Sequence, residues 1–164
     1  MKTIATAILL ACLSPVLSAA DGAKAGQAMP KLSQLLPGAS IPSTSGKVVL
    51  VDFWASWCGP CKQSFPALNQ LQSKYGSKGL VIIGIGVDDE AAKYKAFADN
   101  MKVSFPVAHD SGHQAAAFFN PPSMPSSYLV DRKGTIRYVH TGFRGDKTVA
   151  EYTTEIEALL AEGK

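Results

Sequence analysis

Two cysteines stand two residues apart in Trp57-Cys58-Gly59-Pro60-Cys61-Lys62. A pair at this spacing can trade electrons as a dithiol and disulfide, or lend two ligands to a metal clip. The flanking pattern favours electrons. An apolar, β-branched run leads into the pair, and a helical pattern starts at Gly59. Cys58 therefore falls at a helix N-terminus, where free amide donors and the helix dipole stabilise an anion. Its thiol is expected to be more acidic than an ordinary cysteine, which raises the fraction present as the nucleophilic thiolate. Cys61, one turn further in, is expected to be more buried and to resolve a mixed disulfide formed on Cys58. Pro60 in the first helical turn removes no donor that the helix needs.

The elements that must position this pair are legible from periodicity. Lys47 to Phe53 reads as a strand buried on both faces. Gly59 to about Tyr75 reads as a helix with Phe65, Leu68 and Leu71 on its apolar face, kinked at Pro66. Leu80 to Val87 is a second buried strand. Asp89 is placed to cap a helix over Glu90 to about Asn100, with Tyr94 and Phe97 inward. Ser104 to Ala108 reads as a short strand and Gln114 to Phe119 as a short helix. Ser127 to Val130 and Thr135 to His140 flank the turn Asp131-Arg132-Lys133-Gly134 and read as a hairpin. Lys147 to Leu160 closes the chain as an amphipathic helix with Val149, Tyr152, Ile156 and Leu160 inward. This alternation predicts an α/β sandwich around a mixed sheet.

The chain has 164 residues and a formal net charge of +3, enough for one domain with a real core. There is no basic run with interleaved aromatics, so a nucleic-acid partner is not expected. Lys2, the apolar stretch Thr3 to Leu13 and the small residues Ser18-Ala19-Ala20 form a secretory signal pattern, too short to span a bilayer. The expected division is a signal peptide over 1–20, a flexible Gly/Pro/Ser-rich lead-in over 21–45 and a folded domain over 46–164. Cleavage after Ala20 leaves only Cys58 and Cys61, and places them in a periplasm-like compartment. Leu9-Leu10-Ala11-Cys12 is similar to a lipoprotein signal, which gives a lipid anchor through Cys12 as a second reading.

Val51-Asp52-Phe53-Trp54-Ala55-Ser56-Trp57-Cys58-Gly59-Pro60-Cys61-Lys62 resembles the active-site segment of the thioredoxin superfamily. Gly46 to Val51, Leu80 to Ala108 and Tyr128 to Gly134 are similar to the TlpA/ResA-type periplasmic thiol-disulfide oxidoreductases. The resemblance implies a thioredoxin-like fold, a mixed central sheet flanked by helices, with an extra strand-helix unit in the middle. It implies disulfide exchange with protein substrates through Cys58 and Cys61, and no cofactor beyond that pair. Asp52, six residues before Cys58, matches the buried aspartate that helps the inner cysteine exchange its proton. Pro125 matches the family's cis-proline, which faces the dithiol and binds extended substrate. Met124 would then touch Cys58 or its substrate, and Trp57, Gly59 and Pro60 would complete the substrate rim. Pro66 matches the family's helix kink. Gly59-Pro60 is also the thioredoxin dipeptide, which implies a reducing couple. The family's extremes lie near ~−270 mV for thioredoxin and ~−120 mV for the oxidant DsbA. A reductant in an oxidising compartment must be recharged, so a membrane electron donor of the DsbD type is an expected partner.

Some positions depart from the pattern. Asp52 stands where TlpA/ResA-type proteins often have asparagine, and Ser64 where they often have glutamate. The glutamate is linked to cytochrome c maturation, so that assignment weakens. The lysine that pairs with the thioredoxin aspartate falls on Gly84. Asn120-Pro121-Pro122-Ser123 replaces a more usual lead-in to the cis-proline. His109 and His113 would complete a Cys2His2 zinc set on paper, but they lie too far along the chain for such a clip, and no metal is expected. Asp52 could also be a plain polar residue at a strand end, and Met124 a packing residue. The alternative function is a thioredoxin-fold carrier of copper or apo-cytochrome that uses the cysteines as ligands or docking points.

Overall fold

A computed structural model describes residues 22–163. The expected signal segment and Cys12 lie outside the described residues. The elements run α1 (Leu32–Leu35), β1 (Val48–Trp54), α2 (Gly59–Tyr75), β2 (Leu80–Gly86), α3 (Ala91–Asn100), β3 (Val107–His109), α4 (Gln114–Phe119), β4 (Ser126–Val130), β5 (Ile136–Thr141) and α5 (Asp146–Ala161). The five strands form one sheet in the order β3-β2-β1-β4-β5. β1 pairs with β2 in parallel and with β4 antiparallel. β3 joins β2 in parallel and β5 joins β4 antiparallel, so the sheet is mixed. The α3–β3 passage between β2 and α4 supplies the additional unit that the resemblance implies.

β1 occupies the middle of this sheet, and all seven of its residues are buried. Successive side chains of a strand point to opposite faces. Val48, Leu50 and Trp54 enter one core with Cys61, Phe65, Leu68, Tyr152 and Ile156. Val49, Val51 and Phe53 enter a second core with Ile83, Ile85, Phe119, Tyr128 and Val130. Asp52 shares the first of these faces by the same alternation. The strand is thus paired on both edges and covered on both faces, which explains its unbroken apolar run.

Several boundaries differ from the sequence expectation. Asp89 does not cap α3, whose N-cap is Glu90 with no side-chain bond to the helix. Its carboxylate instead meets His113 Nε2 at 2.9 Å. In α5, Thr148 and Leu159 join Tyr152, Ile156 and Leu160 among the buried residues, while Val149 is only half-buried. The lead-in expected to be flexible is packed. Gly26 and Met29 donate backbone hydrogen bonds to Ile136 and Gly134, and Ile136 donates to Gln27. Ala23, Leu32 and Leu36 fill the second core. Glycine- and proline-rich composition read as loose chain, but apolar residues within it find the face of the sheet that α2 and α5 do not cover.

The aromatic packing behind the cysteines depends on a missing side chain. Trp54 stacks on Tyr94 and Phe97 with centroids 5.2 and 4.9 Å apart, and meets Phe65 edge-on. A Cβ on Gly86 would lie 2.5 Å from Tyr94 Cδ2 and 2.8 Å from Trp54 Cζ2. Gly86→Ala should therefore lower stability by about 1–3 kcal/mol through overpacking, read as a lower urea midpoint at an unchanged slope. A change of less than about 0.5 kcal/mol would show that the aromatic stack yields freely.

Candidate active site

β1 delivers the chain to Ala55, and a tight turn follows in which Cys58 N donates to the Ala55 carbonyl. Cys58 is the N-cap of α2, and its Sγ accepts a hydrogen bond of 3.1 Å from Cys61 N–H. A free helix donor therefore points at the sulfur, as the sequence placement required. Cys58 and Cys61 form a disulfide. Cys61 is fully buried, whereas Cys58 exposes 3% of its surface. Cys58 is thus the less buried of the two.

The residues expected to form the substrate rim differ in exposure. Trp57 is 72% exposed. Gly59 and Pro60 are exposed, and a Cβ built on Gly59 meets nothing within 4 Å. The Met124–Pro125 peptide bond is cis. β4 pairs antiparallel with β1, with Ser126 opposite Phe53 and Ser127 opposite Asp52. This register carries Pro125 to the end of β1 from which the cysteine loop leaves. Met124 is half-buried and packs against both cores, including the one that holds both cysteines. Ser64 is buried in α2, and its hydroxyl donates to the Cys61 carbonyl at 3.0 Å. Pro66 lies inside α2 on its exposed side.

Asp52 lies on β1, the strand that leads into the cysteine loop, and is 1% exposed. Ser127 Oγ donates to Asp52 Oδ1 at 2.6 Å, and Oδ2 is buried without a partner among the described residues. Burial strips water from the carboxylate and pushes its pKa up to about 7, against the smaller pull of the Ser127 hydrogen bond. A carboxyl group that titrates near neutral pH can take up and release a proton during exchange. Gly84, its register partner on β2, supplies no side chain to pair with it.

Three residues of this region escaped sequence reasoning as site residues. Asp88 is buried and accepts from Ser56 N–H at 3.1 and 3.0 Å and from the Ser56 hydroxyl at 2.5 Å. It holds the loop two residues before Cys58. The sequence points to the neighbouring Asp89 as a helix cap, and nothing local separates two adjacent aspartates. Ser127 read only as a strand residue and Tyr152 only as core. Their hydroxyl oxygens lie 2.6 Å apart. The histidines of the paper zinc set are engaged elsewhere. His109 Nε2 lies 2.6 Å from the Asp88 carbonyl oxygen and the ring stacks on Tyr94, while His113 meets Asp89.

Comparison with known proteins agrees with this geometry. The family model described as Redoxin matches residues 24–156. The chain is 35% identical to the thioredoxin-like protein YneN of Bacillus subtilis over 127 residues, 74% of each chain. It is 32% identical to the thiol-disulfide oxidoreductase ResA of Bacillus thuringiensis over 111 residues, 68% of this chain and 64% of that one. It also superposes with TM-score 0.72 and 33% identity on a Chlorobium tepidum protein assigned as the thiol:disulfide interchange protein DsbE. That match covers 86% of this chain and 99% of the other. With a helix-capping Cys58–Cys61 disulfide on a thioredoxin-like sheet, the chain belongs to the redoxin family, as a TlpA/ResA-type thiol-disulfide oxidoreductase of the thioredoxin superfamily.

Proposed function

We propose that this chain works outside the cytoplasm as a reductant of protein disulfides. The observation that carries the reading is the Cys58 sulfur at the N-terminus of α2, with a buried, neutral-range carboxyl group on the strand that leads into it. In the reduced protein the Cys58 thiolate attacks one sulfur of a substrate disulfide. A Cys58–substrate disulfide forms, and the first substrate sulfur leaves as thiolate. Asp52 takes the Cys61 proton at Oδ2, the oxygen without a hydrogen-bond partner among the described residues. The Cys61 sulfur then attacks Cys58 Sγ and releases the second substrate thiolate. Two electrons pass to the substrate, the Cys58–Cys61 disulfide re-forms, and the Cys61 proton together with one from water neutralises the two departing thiolates. No cofactor takes part.

The substrate lies across Trp57, Gly59 and Pro60, with its extended backbone beside Met124 and Pro125. The exposure of Trp57 and the absence of side chains over Gly59 support this placement. Gly59-Pro60 between the cysteines supports the reducing direction. The amino-terminal signal pattern supports export to the periplasm, and among the described residues no helix is long and apolar enough to cross a membrane. The disulfide left after each turnover must be reduced by a dithiol donor, for which a membrane protein of the DsbD type is the fitting class.

Cys61→Ser should accumulate mixed disulfides through Cys58 on non-reducing gels, and Cys58→Ser should not. Equal trapping by both variants would overturn the assignment of Cys58 as nucleophile. Equilibration with glutathione should give a potential well below that of DsbA. A value above about −150 mV would remove the reducing assignment.

Asp52 also makes stability depend on pH. Between 3.8 and about 7 the folded protein holds a proton on Asp52 that the unfolded chain has lost. This contribution is intact at low pH and is lost as pH rises through that window. A shift of about 3 units corresponds to about 4 kcal/mol. Asp52→Asn should therefore stabilise the oxidised protein at pH 8 by about 2–4 kcal/mol, with little effect near pH 4. It should also slow exchange at pH 7 by about tenfold or more. Denaturant titrations at the two pH values provide the check, and a gain of equal size at both would exclude ionisation of Asp52 as its cause.

A further inference from the structure

Resting on the proton-transfer role of Asp52, we infer that Tyr152 and Ser127 are its positioning residues. They form a directed pair that occupies one carboxylate oxygen, leaves the other for the Cys61 proton and lowers the pH at which Asp52 gives its proton up.

The direction of the pair follows from what each group can donate. Ionised Asp52 can only accept, so the Ser127 hydroxyl donates its single proton to Oδ1. The Ser127 oxygen is then the acceptor for Tyr152, whose hydroxyl must donate across the 2.6 Å contact. The chain Tyr152 O–H to Ser127 O–H to Asp52 stabilises the ionised carboxylate, and each link polarises the next. Tyr152 keeps its proton well above neutral pH. Its burial and the Asp52 charge both raise its pKa, and the Glu155 and Glu151 charges add to this. It therefore stays a donor throughout the range in which Asp52 titrates.

The placement is fixed from three elements. Ser127 faces Asp52 in the β1–β4 register. Tyr152 comes from α5 and is 1% exposed. The His140 ring on β5 lies edge-on to the Tyr152 ring, with centroids 4.9 Å apart. His140 is also the β5 register partner of Ser127. Its Nε2 meets Glu155 at 2.6 Å and its Nδ1 meets Glu151 at 3.6 Å. Among the described residues, the charged and titratable groups gathered at Asp52 and the Ser127–Tyr152 pair are thus Tyr152, Glu151 and Glu155 from α5 and His140 from β5. β2 contributes only Gly84 at this level. Of these, Tyr152 alone reaches Asp52 through a hydrogen-bonded bridge, and Ser127 is that bridge.

The test uses the full chain and oxidised glutathione as the disulfide. Asp52 is titrated by carbon NMR of 13C-labelled aspartate in the oxidised protein, identified by its loss in Asp52→Asn. His140 is followed by its ring protons in the same samples, so that its own titration is separated. Ser127→Ala should move the Asp52 midpoint upward by about one pH unit or more, because the one hydrogen bond that the described residues give the carboxylate is lost. Tyr152→Phe should move it the same way by less, and Ser127→Thr should restore it. In stopped-flow oxidation of the reduced protein, the pH at which the resolving phase reaches half its maximum should rise in step.

Midpoints within about 0.2 pH unit of the parent in both Ser127→Ala and Tyr152→Phe overturn the inference. So does a shifted Asp52 with an unmoved resolving phase, which would make the pair a structural contact only. If Asp52→Asn itself leaves the pH rise of the resolving phase in place, the proton-transfer reading of Asp52 fails, and this inference fails with it. A profile that responds to Asp52→Asn but not to the other two variants removes the inference alone.

Discussion

A strand with no free edge and no free face is the constraint on which the rest of the molecule depends. β1 is bonded to β2 on one side and β4 on the other, and every residue in it is buried. Such a strand cannot slip by one residue without turning a whole apolar set toward the wrong core. Its end point is therefore fixed. Cys58 follows after a short turn, and α2 begins at the next residue, so the sulfur is set against free helix amides by the register of the sheet. The same strand carries Asp52 into the interior, where water cannot reach it. One element thus fixes where the cysteine loop starts and carries the buried carboxyl group.

The legible part of this arrangement was the part written in consecutive residues. The unbroken apolar run of β1, the apolar spacing of α2 and the proline between the cysteines each act over a few positions, and each was readable. The mixed α/β sheet followed from strands alternating with helices, whereas the order of its strands came only with the structure. What escaped was set by distant partners. Asp88 and Asp89 are neighbours with the same chemistry. Only the arrival of Ser56 from 32 residues away makes one of them a loop clamp. Ser127 meets Asp52 across 75 residues and Tyr152 across 25. In a strand and an amphipathic helix such hydroxyls look like ordinary filling. The lead-in shows the opposite error. Its composition suggested loose chain, yet Leu32 and Leu36 supply enough apolar surface to hold it against the sheet.

Local conflict is also informative. A carboxylate buried with one oxygen unpartnered costs stability, and Gly84 beside it offers no compensating charge. Residues that contradict folding logic in this way tend to belong to function. The protein keeps the acid ionisable by giving it a neutral hydroxyl and a phenol instead of a cation. A cation would hold the carboxylate charged at every physiological pH, whereas hydroxyls leave both protonation states within reach.

The two cores give the redox cycle an asymmetry. The disulfide belongs to the layer built from α2, α3 and α5, together with Trp54 and Phe65. The layer on the other face, with Phe53, Phe119, Tyr128 and the strapped amino-terminal segment, holds neither sulfur. The S–S bond is thus made and broken within one layer, and the opposite layer contributes no sulfur to it.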